Sequence, residues 1–238
     1  MIDVINVQAL NVRYQQTVAL EQLSIQIPQT VRAAIVGPNG AGKSTFIKAI
    51  LNLIPSQSQS IRLFHQPLDK VRHRVAYVPQ TSQVNWQFPA TVFDVVLMGI
   101  SSKRFGFQRI TNEQKERTLF ALERMQLQDL ANRQISQLSG GQKQRVFLAR
   151  AMAQQAELYL LDEPLAGVDM KSEQLIMDYL VELQQSGKTS VTVHHDLNTV
   201  PDYFDYVVLL NKQLIAHGPT QTTFTPDLIA LTYSGERK

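Results

Sequence analysis

Gly37-Pro38-Asn39-Gly40-Ala41-Gly42-Lys43-Ser44-Thr45 presents, in order, the groups that grip a polyphosphate. It is a complete G-x-x-x-x-G-K-[ST] loop, in which glycines let the backbone curl so that several N–H groups point at phosphate oxygens. Lys43 supplies positive charge for the β- and γ-phosphates, Ser44 a hydroxyl ligand for Mg²⁺, and Thr45 a hydroxyl in reach of a further phosphate. Leu158-Tyr159-Leu160-Leu161-Asp162-Glu163 is a second chemical element, an apolar run that ends in two adjacent carboxylates. Successive strand side chains point to opposite faces, so these two acids need not share one role. Asp162 is suited to the Mg²⁺ shell, and Glu163 to orienting and deprotonating an attacking water. A pair of solvated acids at a strand end is the plain alternative, and a phosphate loop in the same chain argues against it.

Leu138-Ser139-Gly140-Gly141-Gln142 is the third element. Ser139 is a good N-cap, and the glycines allow close approach of an anion to a helix start. Taken alone, the triplet is also what an ordinary cap looks like. A chain with one γ-phosphate site at Lys43 gains little from a second anion loop of its own. The economical reading is that residues 139–142 serve the nucleotide of a second copy in a head-to-tail dimer.

These groups need elements to hold them. Residues 18–27 alternate and stop at Pro28, predicting a strand, and residues 31–36 form a short apolar run directly before the glycine loop, as a buried central strand does. Residues 43–52 read as the helix whose N-terminus holds the anion. Residues 74–78 read as another strand, ending at Pro79-Gln80. From residue 91 to about 133 the period becomes helical, with Val92, Val95, Val96 and Gly99 on one stripe. Thr111 and Gln114 form a capping box, followed by Leu119, Leu122 and Met125 on one expected face. Strand patterns return at 158–161, 190–193 and 206–210, separated by helical stretches at 171–185 and about 197–202, and residues 207–214 predict a late hairpin around Asn211-Lys212. A parallel α/β core interrupted by an all-helical insertion fits this order.

The 238 residues suffice for one large α/β domain with a sizeable core, and 44% hydrophobic with 18% charged residues is a globular composition. A net charge of +3, without a run of like charges, gives no basic face for nucleic acid or an anionic membrane. The absence of cysteine excludes disulfides and thiolate metal sites. No secretory signal is visible at the N-terminus, and no apolar run approaches the roughly 18–20 residues that span a bilayer. The expected location is cytoplasmic, with membrane association through a partner.

With residues 37–45, Gln80, residues 138–142, residues 158–163, Asp169 and His195 in this order and spacing, the sequence closely resembles the ATP-binding subunit of an ABC (ATP-binding cassette) transporter. The resemblance runs from Val4 to about Tyr233. It implies a RecA-like P-loop NTPase core with a mainly parallel sheet, an antiparallel β subdomain and an inserted α-helical subdomain. The whole chain, 1–238, would be one ABC ATPase domain: about 1–88 and 156–238 for the core and β subdomain, about 89–155 for the helical subdomain with the signature. It implies ATP and Mg²⁺ as ligands and ATP hydrolysis coupled to transport. Tyr14, in Val12-Arg13-Tyr14 ahead of the first strand pair, matches the aromatic that stacks on adenine, with an ordinary strand tyrosine as the alternative. Gln80 matches the glutamine that senses Mg²⁺ and the γ-phosphate and links the core to the helical subdomain. Ser139, Gly140, Gly141 and Gln142 match the signature that closes on the partner's ATP. Asp169 matches a loop that touches the opposite subunit. His195 matches the switch histidine near the γ-phosphate, leaving His194 structural or exposed, since only one of the two can face the site.

The substrate signal lies in residues 85–99, which follow the glutamine where such subunits meet the permease, with Phe88 and Phe93 as apolar anchors. This stretch, Leu165-Ala166-Gly167-Val168-Asp169 and the tail around Gly218-Pro219 and Phe224-Thr225-Pro226 resemble subunits that serve manganese, zinc or iron uptake. Asn85 and Gln87 depart from the acidic residue often found there. Homodimerisation, a membrane permease and, indirectly, an external metal-binding protein are the implied partners, with the subunit on the cytoplasmic face of the membrane. Manganese is the expected cargo, with zinc, iron or an iron chelate as alternatives. A soluble ABC ATPase acting on DNA or ribosomes is the opposing class; it usually carries two cassettes or a long coiled coil, absent here. Residues 130–138 lack the acidic, glycine-containing stretch of exporters, and the chain is too short for the extra regulatory domain of sugar and methionine importers. His65, His73, His194, His195 and His217 lie apart from carboxylates at ligand spacing, except for Asp196, so the cargo is expected to pass through the permease alone.

Overall fold

The computed structural model describes residues 3–84, 86–100 and 110–234. Alternating buried and exposed residues build a long hairpin from β1 (Asp3–Tyr14) and β2 (Thr17–Pro28), whose turn places Gln15 at φ 54°. Short apolar β3 (Arg32–Val36) leads through the glycine loop into α1 (Lys43–Ile50). β4 (Ser60–Leu63) pairs antiparallel with β1 and completes a three-stranded sheet of order β2-β1-β4. α2 (Leu68–Val71) and β5 (Val75–Val78) precede three helices, α3 (Val92–Leu97), α4 (Asn112–Arg124) and α5 (Gly140–Gln154). Then β6 (Leu158–Asp162), α6 (Met170–Gln185), β7 (Thr189–Val193), α7 (Val200–Tyr203) and β8 (Tyr206–Asn211) alternate. β9 (Gln213–Pro219), α8 (Thr220–Thr223) and α9 (Pro226–Tyr233) follow.

The second sheet has order β5-β6-β7-β3-β8-β9 and is parallel except for β9, which returns antiparallel from β8. Parallel strands bring their carboxyl ends to one edge, where ligands of open α/β sheets bind. The glycine loop leaves β3, the carboxylate pair leaves β6, and His195 follows β7, so the topology gathers three motifs from distant parts of the chain.

Period-two alternation in β6 divides the core. Leu158 and Leu160 face a cluster shared with α1 and the three-stranded sheet, including Phe46, Ile47, Leu20 and Ile5. Tyr159 and Leu161 face a second cluster, in which Val92, Val96, Leu122, Phe147 and Leu180 come from α3, α4, α5 and α6. The helical insertion therefore packs on the sheet through one continuous apolar layer. At that sheet's edge, α5 also satisfies backbone oxygens of β5: Arg150 donates to the Tyr77 carbonyl at 3.2 Å and Gln154 to that of Val75 at 2.8 Å. Covering an edge strand in this way removes an open pairing surface.

The predicted capping box at Thr111 forms, with the Thr111 hydroxyl and Gln114 amide side chain exchanging bonds with each other's backbone. The face below it differs from expectation. Thr118, Ala121, Leu122 and Met125 are buried, whereas Leu119 is 44% exposed. Positions 118, 121, 122 and 125 follow the i, i+3, i+4, i+7 rule, and Leu119 falls beside that stripe. Two strands also lay outside the sequence reading. β1 and β4 each mix polar residues into their alternation, and Tyr14 is accordingly the last residue of β1 rather than a residue ahead of the strand pair. The helix expected over about 197–202 shortens to α7 because residues 197–199 form a turn, with Asp196 accepting from the Asn198 backbone N–H at 3.0 Å. Asn85 lies outside the described residues. Among those described, no helix is long and apolar enough to cross a membrane.

Candidate active site

The glycine loop is fixed by close approaches that exclude larger residues. A Cβ on Gly37 would lie 1.9 Å from the Leu210 carbonyl oxygen. Gly42 takes φ 92°, and a Cβ there would meet Leu20 at 2.5 Å and the Ala19 oxygen at 2.6 Å. Gly42 caps α1, whose first turn holds no acid, so its free N–H groups face a region that favours anions. The Lys43 ammonium lies within the loop, donating to the carbonyls of Gly37 at 2.7 Å and Pro38 at 2.9 Å. Burial lowers its pKa, while the charges of Glu163 and Asp162 oppose the shift.

Asp162 ends β6 fully buried. Its Oδ1 accepts from the Ser44 hydroxyl at 2.6 Å, and its Oδ2 has no hydrogen-bond partner. Burial raises its pKa, against the Ser44 bond and the charges of Lys48 and Lys43. A buried carboxylate oxygen without a partner is costly. A hard divalent cation, which takes oxygen ligands, would relieve that cost between Ser44 and Asp162, so the donor set fits Mg²⁺.

Glu163 adopts φ 53° directly before Pro164. The left-handed conformation costs a non-glycine residue about 1–3 kcal/mol and persists where the surroundings enforce it. Two bonds do so here: Gln80 donates to Glu163 Oε2 at 2.8 Å, and the Glu163 carbonyl accepts from Ala166 N–H at 3.2 Å. Gln80 follows β5 and so ties the segment that leads to the helices onto the carboxylate beyond β6.

A cavity of about 560 Å³ opens where these pieces meet, lined by residues 37–39, Glu163, Ala166, His195 and Tyr233. His195 is exposed at its wall. His194 turns inward, with its Nε2 2.7 Å from the Thr199 hydroxyl and its ring against Phe204. Burial, then the neighbouring His195, push the His194 pKa down to about 4.

Tyr14, residues 139–142 and Asp169 also stand outside this lining. Tyr14 is 48% exposed on the β1–β2 turn, and the following strand carries Ala19 and Leu20 against Gly42. Ser139 and Gln142 cap each other at the start of α5. Asp169 caps α6, accepting from the Ser172 N–H and hydroxyl, both at 2.9 Å. Gly141 lies beside it, since a Cβ there would sit 3.4 Å from Asp169 Oδ2. The Ser139–Gln142 loop and Asp169 thus form a second polar surface within the same chain, joined through the starts of two helices. Tyr233 had no motif to announce it; only the docking of α9 brings it to the cavity.

A phosphate loop on a central parallel strand, a buried Asp162 beside a half-buried Glu163 and a helical layer bearing a capped Ser-Gly-Gly loop together define a nucleotide-binding cassette. The chain belongs to the ABC transporter family, whose pattern matches residues 20–166, and it is an ABC transporter ATPase. It is 47% identical over 228 residues to the manganese transport system ATP-binding protein MntB of Listeria innocua, covering 96% of this chain and 95% of that one. MntB of Bacillus subtilis is 46% identical, over 95% and 90% of the two chains. The zinc transport system ATP-binding protein TroB of Treponema pallidum is 48% identical, over 97% and 87%. Among solved structures, the dimeric post-hydrolysis state of the ATP-binding cassette MJ0796 bound to ADP and Pi superposes with a TM-score of 0.80 at 27% identity, covering 90% of this chain and 98% of that one.

Proposed function

We propose that this chain is the ATP-hydrolysing subunit of an importer for a divalent transition metal, manganese, and that residues 37–45 hold the triphosphate while Glu163 activates the attacking water. One observation carries the hydrolytic part: Glu163 is held by Gln80 at the cavity that the glycine loop and His195 also line. Ser44, Asp162 and Gln80 would hold Mg²⁺, which when bound neutralises charge on the phosphate oxygens. Lys43 leaves its carbonyl partners for the β- and γ-phosphates, His195 orients the γ-phosphate end, and Tyr14 stacks on adenine. Residues 139–142 and Asp169 act in trans, completing the partner's site in a head-to-tail homodimer; that a structurally similar ATP-binding cassette is dimeric supports the pairing of two copies. The division into a core of about 1–88 and 156–238 and a helical subdomain of about 89–155 belongs to this reading. The subunit works on the cytoplasmic face of the membrane through permease subunits, with an external metal-binding protein upstream and no nucleic acid. Phe88, 57% exposed, is the apolar anchor proposed for permease contact.

The manganese assignment is supported by relatives whose names specify manganese over nearly the full chain. Zinc is the second reading, favoured by the equally similar zinc relative. Deleting the gene should lower cellular manganese and make growth depend on added manganese. Metal content measured by mass spectrometry decides it: loss of zinc or iron alone moves the cargo, and normal metals with failed uptake of a sugar or amino acid rejects metal import.

A further inference from the structure

One wall of the hydrolytic cavity comes from outside all the sequence motifs. Tyr233, at the end of α9, shares the lining with residues 37–39, Glu163 and His195. Its position is set by the strand that also sets the phosphate loop. The Leu210 carbonyl packs against Gly37, and the Lys212 N–H donates to the Ala41 carbonyl at 2.8 Å. Between those two residues, the Asn211 side-chain amide donates to the carbonyl of Thr232 at 2.9 Å. The end of β8 therefore holds the loop with its backbone and the end of α9 with its side chain.

α9 is further pinned along its length. Thr225 caps its start, accepting from the Leu228 N–H at 3.4 Å. Leu228 packs against the cluster of Val36, Val207 and Leu209, the first being the last residue before the phosphate loop. Thr232, fully buried, donates its hydroxyl to the Leu228 carbonyl at 2.6 Å. Tyr233 is thus carried on a helix referenced to the same strands as the loop, which suits a group that must meet a ligand at a fixed distance.

We propose that Tyr233 is a phosphate-binding residue, its phenol O–H donating to the terminal phosphate of bound ATP. The inference rests on the reading of this cavity as the hydrolytic site. A phenol is a neutral donor at physiological pH, and a hydrogen bond to an anionic oxygen is among the stronger ones. The cavity also names the phosphate concerned. Tyr233 shares it with Glu163 and His195, the residues that the proposed function places at the attacking water and at the γ-phosphate end. The contact is therefore made to a third phosphate and is lost with ADP.

The test measures binding of the non-hydrolysable ATP analogue adenylyl imidodiphosphate, and of ADP, to the full chain with Mg²⁺. Tyr233→Phe keeps the ring and its packing while removing the hydroxyl. The expected result is about a tenfold weaker analogue, the size of one lost hydrogen bond to a charged group, with ADP affinity unchanged. Tyr233→Ala should show the same selective loss. An unchanged analogue-to-ADP ratio in Tyr233→Phe overturns the inference, as does an equal weakening of both nucleotides. If the wild-type chain binds neither nucleotide, the reading of the cavity itself fails, and with it this assignment.

Discussion

Glu163 concentrates several costs in one residue. It combines a left-handed backbone, a following proline and a carboxylate held by Gln80. Proline disfavours helical backbone angles at the preceding residue, which adds to the strain. Such conformations survive where function or packing holds them, and here the hold comes from a glutamine on another strand's end. Replacing Glu163 with glutamine keeps the shape and removes the proposed base. Turnover should fall by about two to four orders of magnitude, the usual worth of a positioned base. ATP should still bind, because Lys43 and the loop are untouched, and the variant should elute with ATP as a dimer in size exclusion. Near-normal turnover would place the base elsewhere.

At the scale of elements, β7 and α7 are joined by a buried histidine. His194 follows β7, its ring contacts Phe204 at the end of α7, and its Nε2 meets Thr199, the N-cap residue of α7. Its native pKa of about 4 lies below the ordinary 6.5. Between those values the unfolded chain takes up a proton that the native chain refuses. The His194 contribution to stability is therefore complete above about pH 6.5 and is lost as pH falls towards 4. A decline of about 1–3 kcal/mol is the scale for a shift of this size. Thermal melting at pH 7.5 and pH 4.5 should show a larger drop for the wild type than for His194→Phe, which has nothing to protonate at that position. Parallel drops would assign the acid sensitivity to other groups.

For the molecule as a whole, two polar surfaces in one chain are the ground for the proposed dimer. The cavity beside the phosphate loop is lined by residues 37–39, Glu163, Ala166, His195 and Tyr233, and residues 139–142 are absent from it. The latter sit at the start of α5, beside Asp169. If the Ser-Gly-Gly loop closes on the partner's nucleotide, complementation between defective chains follows. A mixture of Lys43→Ala and Ser139→Arg chains retains one composite site in which Lys43 and Ser139 are both intact. ATPase activity should appear in the mixture and be absent from either variant alone. A loop acting within its own chain would leave every subunit defective and the mixture inactive.

The nucleotide chemistry was legible in residue types and short spacings because it is local. A glycine loop needs its lysine and hydroxyls within nine residues, and the acids close one strand, so residues 37–45 and Asp162-Glu163 could be read before any fold was known. Long apolar strands and capping boxes were legible for the same reason, since strand period and cap chemistry are properties of neighbouring residues. β1 and β4 were not, because a strand that keeps one face polar is defined by its partner rather than by its own composition. Leu119 was misplaced because the choice between adjacent helical stripes depends on where α5 packs. The Gln80–Glu163 bond joins residues far apart in sequence, and a parallel sheet alone brings their strand ends to one edge. Tyr233 is the limiting case. An isolated tyrosine near the end of a chain carries no pattern, and its place in the cavity was decided by Asn211, Thr232 and the apolar face of α9, which only the packed structure brings together.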